Sequence, residues 1–147
     1  MTTVHPGSTA EARPRSRVVA VAGPLTVAAG ALGAAALLGR VDPHVPGFYP
    51  TCPSYALTGL YCPGCGTLRA VHDLWHLDLA GAFSMNPLAV LLLPAVLASW
   101  VAWLVRAATG RPRRWLAPPW VPTTLLVVVL VYWVLRNVPP LMPYLAP

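Results

Sequence analysis

The chain has 147 residues, enough for one domain, and is 56% hydrophobic and only 10% charged, where a soluble domain carries roughly 25% charged residues. Every basic residue is an arginine and the net charge is +6. The arginines sit at the ends of apolar runs and not along one face, which excludes a nucleic-acid stripe and points to a membrane.

In chain order, residues 1–17 are polar, proline-containing and without apolar period, and read as a disordered basic tail. Three apolar runs follow, over about 18–39, 87–105 and 120–136. A helix needs about 20 apolar residues to cross the hydrocarbon core. The first run is preceded by Arg13, Arg15 and Arg17, as a signal peptide would be. It exceeds the roughly 7–15 residues of a signal core, so it reads as an uncleaved anchor. Pro94 is expected to kink the second run, and Trp100, Trp103, Trp115, Trp120, Trp133 and Tyr132 read as interfacial belt residues. The expected fold class is all-α: a membrane domain over 18–137 with three transmembrane helices, a Cys-rich loop over 40–86 and a Pro-rich tail over 138–147.

Arginine placement sets an orientation. Arg13, Arg15 and Arg17 precede the first run, and Arg106, Arg111, Arg113 and Arg114 lie between the second and third. The 40–86 loop holds only Arg40 and Arg69, offset by Asp42, Asp73 and Asp78. The positive-inside bias therefore puts the N-terminus in the cytoplasm and the Cys-rich loop and C-terminus outside, in a multi-pass protein of the cell membrane.

The reactive side chains gather in "TGLYCPGCGTLRAVHDLWHLDLAGAFSMNPL". Proline after Cys62 suits a first helical turn, so a helix over about 63–77 is expected. At 100° per residue, Cys62, Cys65, Arg69, His72, Asp73 and His76 share its polar face, with Leu68, Val71, Leu74, Trp75 and Leu79 opposite. Arg69 is placed to pair with Asp73 four residues on. Asp78 is placed to cap a second short helix through Phe83, and Asn86-Pro87 reads as the N-cap and first turn of the second span.

These motifs, "CPGCGTLRA", a histidine a few positions on, "DLAGAF" and "NPL" before an apolar span, resemble the small bacterial membrane proteins called domain of unknown function 2752. The resemblance covers about 52–93 and rests on Cys62, Pro63, Cys65, Gly66, Arg69, Asn86 and Pro87, with Cys52 matching an upstream cysteine. The family usually has Thr directly before the Arg, whereas Leu68 separates Thr67 from Arg69 here. It often has Gly before the Asp that follows the helix, where this chain has Leu77, which implies a less sharp turn. The resemblance carries no activity with it.

The cysteines admit several chemistries. A Cys-x-x-Cys pair at a helix start is a thiol-redox geometry, and outside the cytoplasm it tends to be oxidised. No thioredoxin-like βαβ pattern surrounds it, and Gly66 stands where a c-type haem site needs histidine. Zinc would need Cys52, Cys62, Cys65 and one of His72 or His76, a Cys₃His set in which His72 is the nearer candidate. His72 lies about 10 Å along a straight helix from Cys65. One ion therefore requires a break at Gly66 or a set limited to the three cysteines. Three is an odd number, so one thiol is free, bridged to another chain or metal-bound. Arg136 and Asn137 emerge on the Cys-rich side and are candidates for a polar pocket with Arg69, His72, Asp73, His76 and Asn86.

No Ser-His-Asp set, phosphate loop or HExxH motif is present. The favoured expectation is a non-enzymatic membrane protein whose Cys-rich loop is structural or docks a partner. The alternatives are a thiol-redox or metal-binding membrane protein and a small enzyme at the lipid interface. Expected partners are the lipid bilayer and another membrane protein or a second copy; nucleic acid is not expected.

Overall fold

The computed structural model describes residues 17–50, 52–112 and 117–147. Arg13, Arg15, Arg113, Arg114 and Trp115, and all but the last residue of the tail expected over 1–17, lie outside the described residues. The described residues are helical without strands: α1 (Arg17–Arg40), α2 (Pro53–Thr58), α3 (Thr67–Trp75), α4 (Leu79–Met85), α5 (Pro87–Thr109), α6 (Trp120–Leu135) and α7 (Met142–Leu145).

α1 and α5 are long and apolar enough to cross a membrane. Only 6% of the apolar window of each is buried, whereas a soluble protein hides such helices in its core. α6 is apolar but shorter, at 16 residues, covering about 24 Å at 1.5 Å per residue. The described 138–147 segment is not all extended: it carries the single turn of α7, which packs near α4.

Close approaches tie the long helices together. The Trp100 indole N–H donates to the Pro24 carbonyl at 3.1 Å, and Trp103 lies over Gly23. Both tryptophans thus join α5 to α1 as well as facing its apolar surroundings. Trp75 of α3 lies on Gly39 so closely that any Cβ there would overlap its ring. α5 runs through Pro94 as one helix.

α3 and α4 form a hairpin whose small core is Ala70, Ala82 and Val90, flanked by Leu74 and Met85. The capping signals read from sequence form as local chemistry dictates. The Asp78 carboxylate accepts from the Gly81 N–H at 2.8 Å, and the Asn86 side-chain oxygen accepts from the Ala89 N–H at 3.1 Å.

α3 itself departs from expectation. It begins at Thr67 and not near Pro63, because Gly66 takes a left-handed φ of 82° that breaks the helix. A Cβ at Gly66 would also strike the Met85 carbonyl, so close packing and φ both require glycine.

The turn after α3 is as sharp as a glycine would make it. The Leu77 N–H donates to the Leu74 carbonyl at 3.1 Å and the Asp78 N–H to the Asp73 carbonyl at 2.9 Å. This paired closure places Leu77 at φ 62°, the only left-handed non-glycine residue among those described. Its side chain is 88% exposed, so packing does not repay the strain. A left-handed L-residue costs roughly 1–2 kcal/mol, part of which glycine returns through unfolded-chain entropy. Leu77→Gly is therefore expected to stabilise the protein by about 0.5–1 kcal/mol in reversible unfolding; a destabilised variant would show that Leu77 makes a contact worth more than the strain.

Candidate functional site: three thiols on a buried polar platform

Cys52 stands just before α2, whose first residue is Pro53. α2 ends after one and a half turns because Gly59 adopts φ 70° and caps it, its N–H donating to the Tyr55 carbonyl at 2.9 Å. The chain then doubles back, with Tyr55 and Tyr61 stacked at 4.6 Å. Cys62 follows, and a tight turn closed by the Cys65 N–H on the Cys62 carbonyl at 3.1 Å brings Cys65 round beside it. The Cys62 N–H also points at the Cys65 sulfur, at 3.2 Å.

The three sulfurs converge. Cys62 Sγ lies 3.5 Å from Cys52 Sγ and 3.2 Å from Cys65 Sγ, and all three fall within 4.8 Å of one another. All three thiols are free. They open onto a cavity of about 470 Å³ whose other walls include Tyr49, Tyr55, Tyr61, Arg69 and Pro147.

Beneath the thiols lies a polar platform built from other helices. Arg136, at the end of α6, is fully buried. Its guanidinium donates through Nη1 to the carbonyls of Cys62 at 2.9 Å and Pro63 at 3.3 Å, and through Nη2 to that of Cys65 at 3.2 Å. It lies over the Tyr132 ring at 5.0 Å and near the Tyr61 ring at 5.9 Å. No carboxylate pairs with it among the described residues, and its Nε has no hydrogen-bond partner.

Asn86 is 1% exposed. Its amide nitrogen donates to the Pro63 carbonyl at 3.0 Å, the Cys65 carbonyl at 3.2 Å and the Thr67 hydroxyl at 3.0 Å. Its oxygen accepts from the Tyr132 hydroxyl at 3.2 Å as well as from Ala89. The Thr67 hydroxyl is thus engaged although Leu68 separates it from Arg69. Asn137 clamps Tyr61 on both backbone groups, accepting from its N–H at 2.8 Å and donating to its carbonyl at 2.9 Å.

The two outer thiols differ in acidity. Hydrogen bonding from the Tyr55 backbone, then from the Cys65 and Cys62 thiols, lowers the Cys52 pKa to about 7. Burial first, then the hydrogen bonds with Cys62 and Cys52, raises that of Cys65 to about 12. The Tyr55 and Ser54 backbone lies in the first turn of α2, whose N-cap is Cys52, so the terminus that acidifies this thiol is that of α2 and not of α3, which Cys62 and Cys65 precede in a turn.

The candidate pocket residues divide into groups. Asn86, Arg136 and Asn137 hold the Cys loop from below. Arg69 lines the cavity, but its Nε donates to the Pro43 carbonyl at 3.3 Å and it makes no ion pair with Asp73. His72, considered as a fourth ligand for the cysteines, groups instead with Asp42 and His44, because α3 starts late enough to turn that face away from the thiols. Asp73 sits with His44, and the exposed His76 rests its Nδ1 on the His72 carbonyl at 2.9 Å. Tyr61 and Tyr132 are site residues that sequence reading passed over; an aromatic adjoining a lone arginine at a span end was the available signal.

Residues 52–100 match the family model described as Protein of unknown function (DUF2752). The resemblance is to DUF2752. The DUF2752 segment contains all three thiols, Gly66, Thr67, Arg69 and Asn86. Tyr132, Arg136 and Asn137, which complete the platform, lie beyond it, as do Asp42 and His44. The comparisons with curated proteins and with solved structures find no match.

Proposed function

We propose that this is a three-span membrane protein whose extracytoplasmic loop holds a soft or borderline metal ion, zinc or copper(I), on Cys52, Cys62 and Cys65. The observation that carries this reading is the convergence of the three sulfurs at one point over a rigid polar platform. Thiolate sulfur is the donor such metals select. Three thiolates around a divalent ion carry a net charge of −1, which the buried Arg136 guanidinium complements, since among the described residues no carboxylate pairs with it. Three protein ligands leave a coordination position open toward the cavity, as binding or exchange sites do and closed structural zinc sites do not. The topology is supported by the shared end at which α1 finishes, α5 begins and α6 finishes, all around the Cys loop, and by the arginines at the other ends.

A second reading, thiol–disulfide exchange, is favoured by one feature: Cys62 sits between two thiols, so any oxidised pair leaves a third sulfur beside it.

Metal analysis of the detergent-purified protein together with alkylation decides between them. The metal reading expects one thiol-bound equivalent of zinc or copper per chain, this equivalent being lost in each of Cys52→Ser, Cys62→Ser and Cys65→Ser, and thiols that alkylate only after chelation. A disulfide in the protein as purified would favour exchange. Three freely alkylated thiols without metal would remove both. In the chelated, reduced protein, Cys52 should alkylate first. Its rate should climb as pH rises through about 7 and then level off, because its lowered pKa yields thiolate there, while Cys65, raised to about 12, stays protonated and slow.

A further inference from the structure

Apart from the thiols, a second donor cluster forms where the chain leaves α1. Asp42, His44 and His72 each present one ligand atom, and these lie within 4.8 Å of one another. The Asp42 carboxylate oxygen is 3.7 Å from His72 Nε2 and 2.8 Å from His44 Nδ1. Asp73, buried and one residue after His72, places its carboxylate 3.7 Å from His44 Nε2.

His72 is prepared for a ligand. Its Nδ1 lies 2.7 Å from the Leu38 carbonyl. A carbonyl can only accept, so Nδ1 carries the proton and Nε2 turns its lone pair toward Asp42. Such a backbone contact is how metal-bound histidines are usually oriented. The loop is held against α3 by Arg69 on the Pro43 carbonyl, and it is closed on itself by the Tyr49 hydroxyl, which donates to the Val41 carbonyl at 3.1 Å. With neutral imidazoles, the four side chains carry two negative charges, and Asp42 and Asp73 have no arginine ion pair among the described residues.

We propose that Asp42, His44 and His72 form a second metal site, for a borderline divalent cation such as zinc, cobalt(II) or nickel(II), with Asp73 supporting it. Imidazole and carboxylate donors suit these ions and not copper(I), so the two sites differ in metal preference. Bonds of about 2.0–2.2 Å put donor atoms about 3–3.5 Å apart. The Asp42–His72 spacing is near this already, and His44 reaches it by exchanging its contact with Asp42 for the ion.

This site does not depend on the thiol reading, and cobalt(II) titration of the full-length protein separates the two. The variant with Cys52→Ser, Cys62→Ser and Cys65→Ser should still bind one cobalt(II), without sulfur-to-cobalt charge transfer in its absorption. Adding His44→Ala, at an exposed position where folding is not at stake, should weaken that binding at least tenfold, as should His72→Ala. His44→Ala alone should leave the sulfur-to-cobalt signal of the thiol site unchanged. A triple variant that binds no cobalt(II), or one whose binding survives His44→Ala, would overturn the proposal.

Discussion

Arg136→Met is expected to destabilise the protein by about 2–4 kcal/mol, since hydrogen bonds from a charged donor contribute roughly 1.5–3 kcal/mol each and relief of the guanidinium's own burial offsets part of their loss. Arg136 is fully buried and donates to the carbonyls of Cys62, Pro63 and Cys65. Each of these carbonyls, if left unsatisfied, costs roughly 1–3 kcal/mol, reduced here where Asn86 also donates to Pro63 and Cys65. The cation is not paired with a carboxylate. Its charge is held by carbonyl dipoles, by the faces of Tyr61 and Tyr132, and by the C-terminal end of α6 where it sits. That arrangement is specific to a planar fork. Arg136→Lys keeps the charge but reaches fewer carbonyls, and should recover only part of the loss. If charge compensation of a metal–thiolate centre is also part of its work, Lys should hold metal better than the shorter, neutral Arg136→Gln at matched stability. Chemical unfolding in detergent and metal occupancy read the two effects separately. A Met variant as stable as the parent would show that the platform contributes nothing to the fold.

The features legible in the sequence are those that local chemistry determines. The apolar runs become α1, α5 and α6 within a residue or a few of where they are read, because length and composition alone decide them. Asp78 and Asn86 cap helices because a side-chain oxygen at that position needs only the next turn to bond to. The start of α3 was misread for an equally local reason. Pro63 is compatible with a helix start and with a turn, and the deciding fact, the clash of any Cβ at Gly66 with Met85, is a contact made across nineteen positions of sequence. The break takes the thiols off the polar face. With the helix beginning at Thr67, Cys62 and Cys65 leave its wheel, His72 joins Asp42 and His44, and Arg69 finds Pro43 in place of Asp73.

The platform is legible only in part. The side on which α6 ends makes Arg136 and Asn137 pocket candidates with Asn86, but nothing local in the sequence marks Tyr61, whose ring meets Arg136 only once segments far apart in sequence pack together. The three cysteines, by contrast, announce themselves. The fold-back that brings Cys52 to the other two is legible as well, because Pro53 and Gly59 punctuate the segment between them and allow it to turn back.

The second large effect is expected at Asn86. If Asn86 were only the N-cap of α5, Ser would replace it at little cost, since the two are nearly equivalent there. The structure gives it five hydrogen bonds to four different segments: Ala89 in α5, Tyr132 in α6, Thr67 at the start of α3, and the loop carbonyls of Pro63 and Cys65. Asn86→Ala should therefore cost about 3 kcal/mol, roughly 1 for the lost cap and the rest for buried polar groups stripped of a partner. Asn86→Ser, whose hydroxyl reaches the Ala89 N–H but is too short for the loop, should recover only the cap's share. Both variants should expose the Cys loop. In the chelated protein, Cys65, now slow because it is buried, should alkylate faster in Asn86→Ser than in the parent although α5 remains capped. A Ser variant matching the parent in both unfolding and Cys65 alkylation would reduce Asn86 to a cap and leave Arg136 and Asn137 as the supports of the thiol loop.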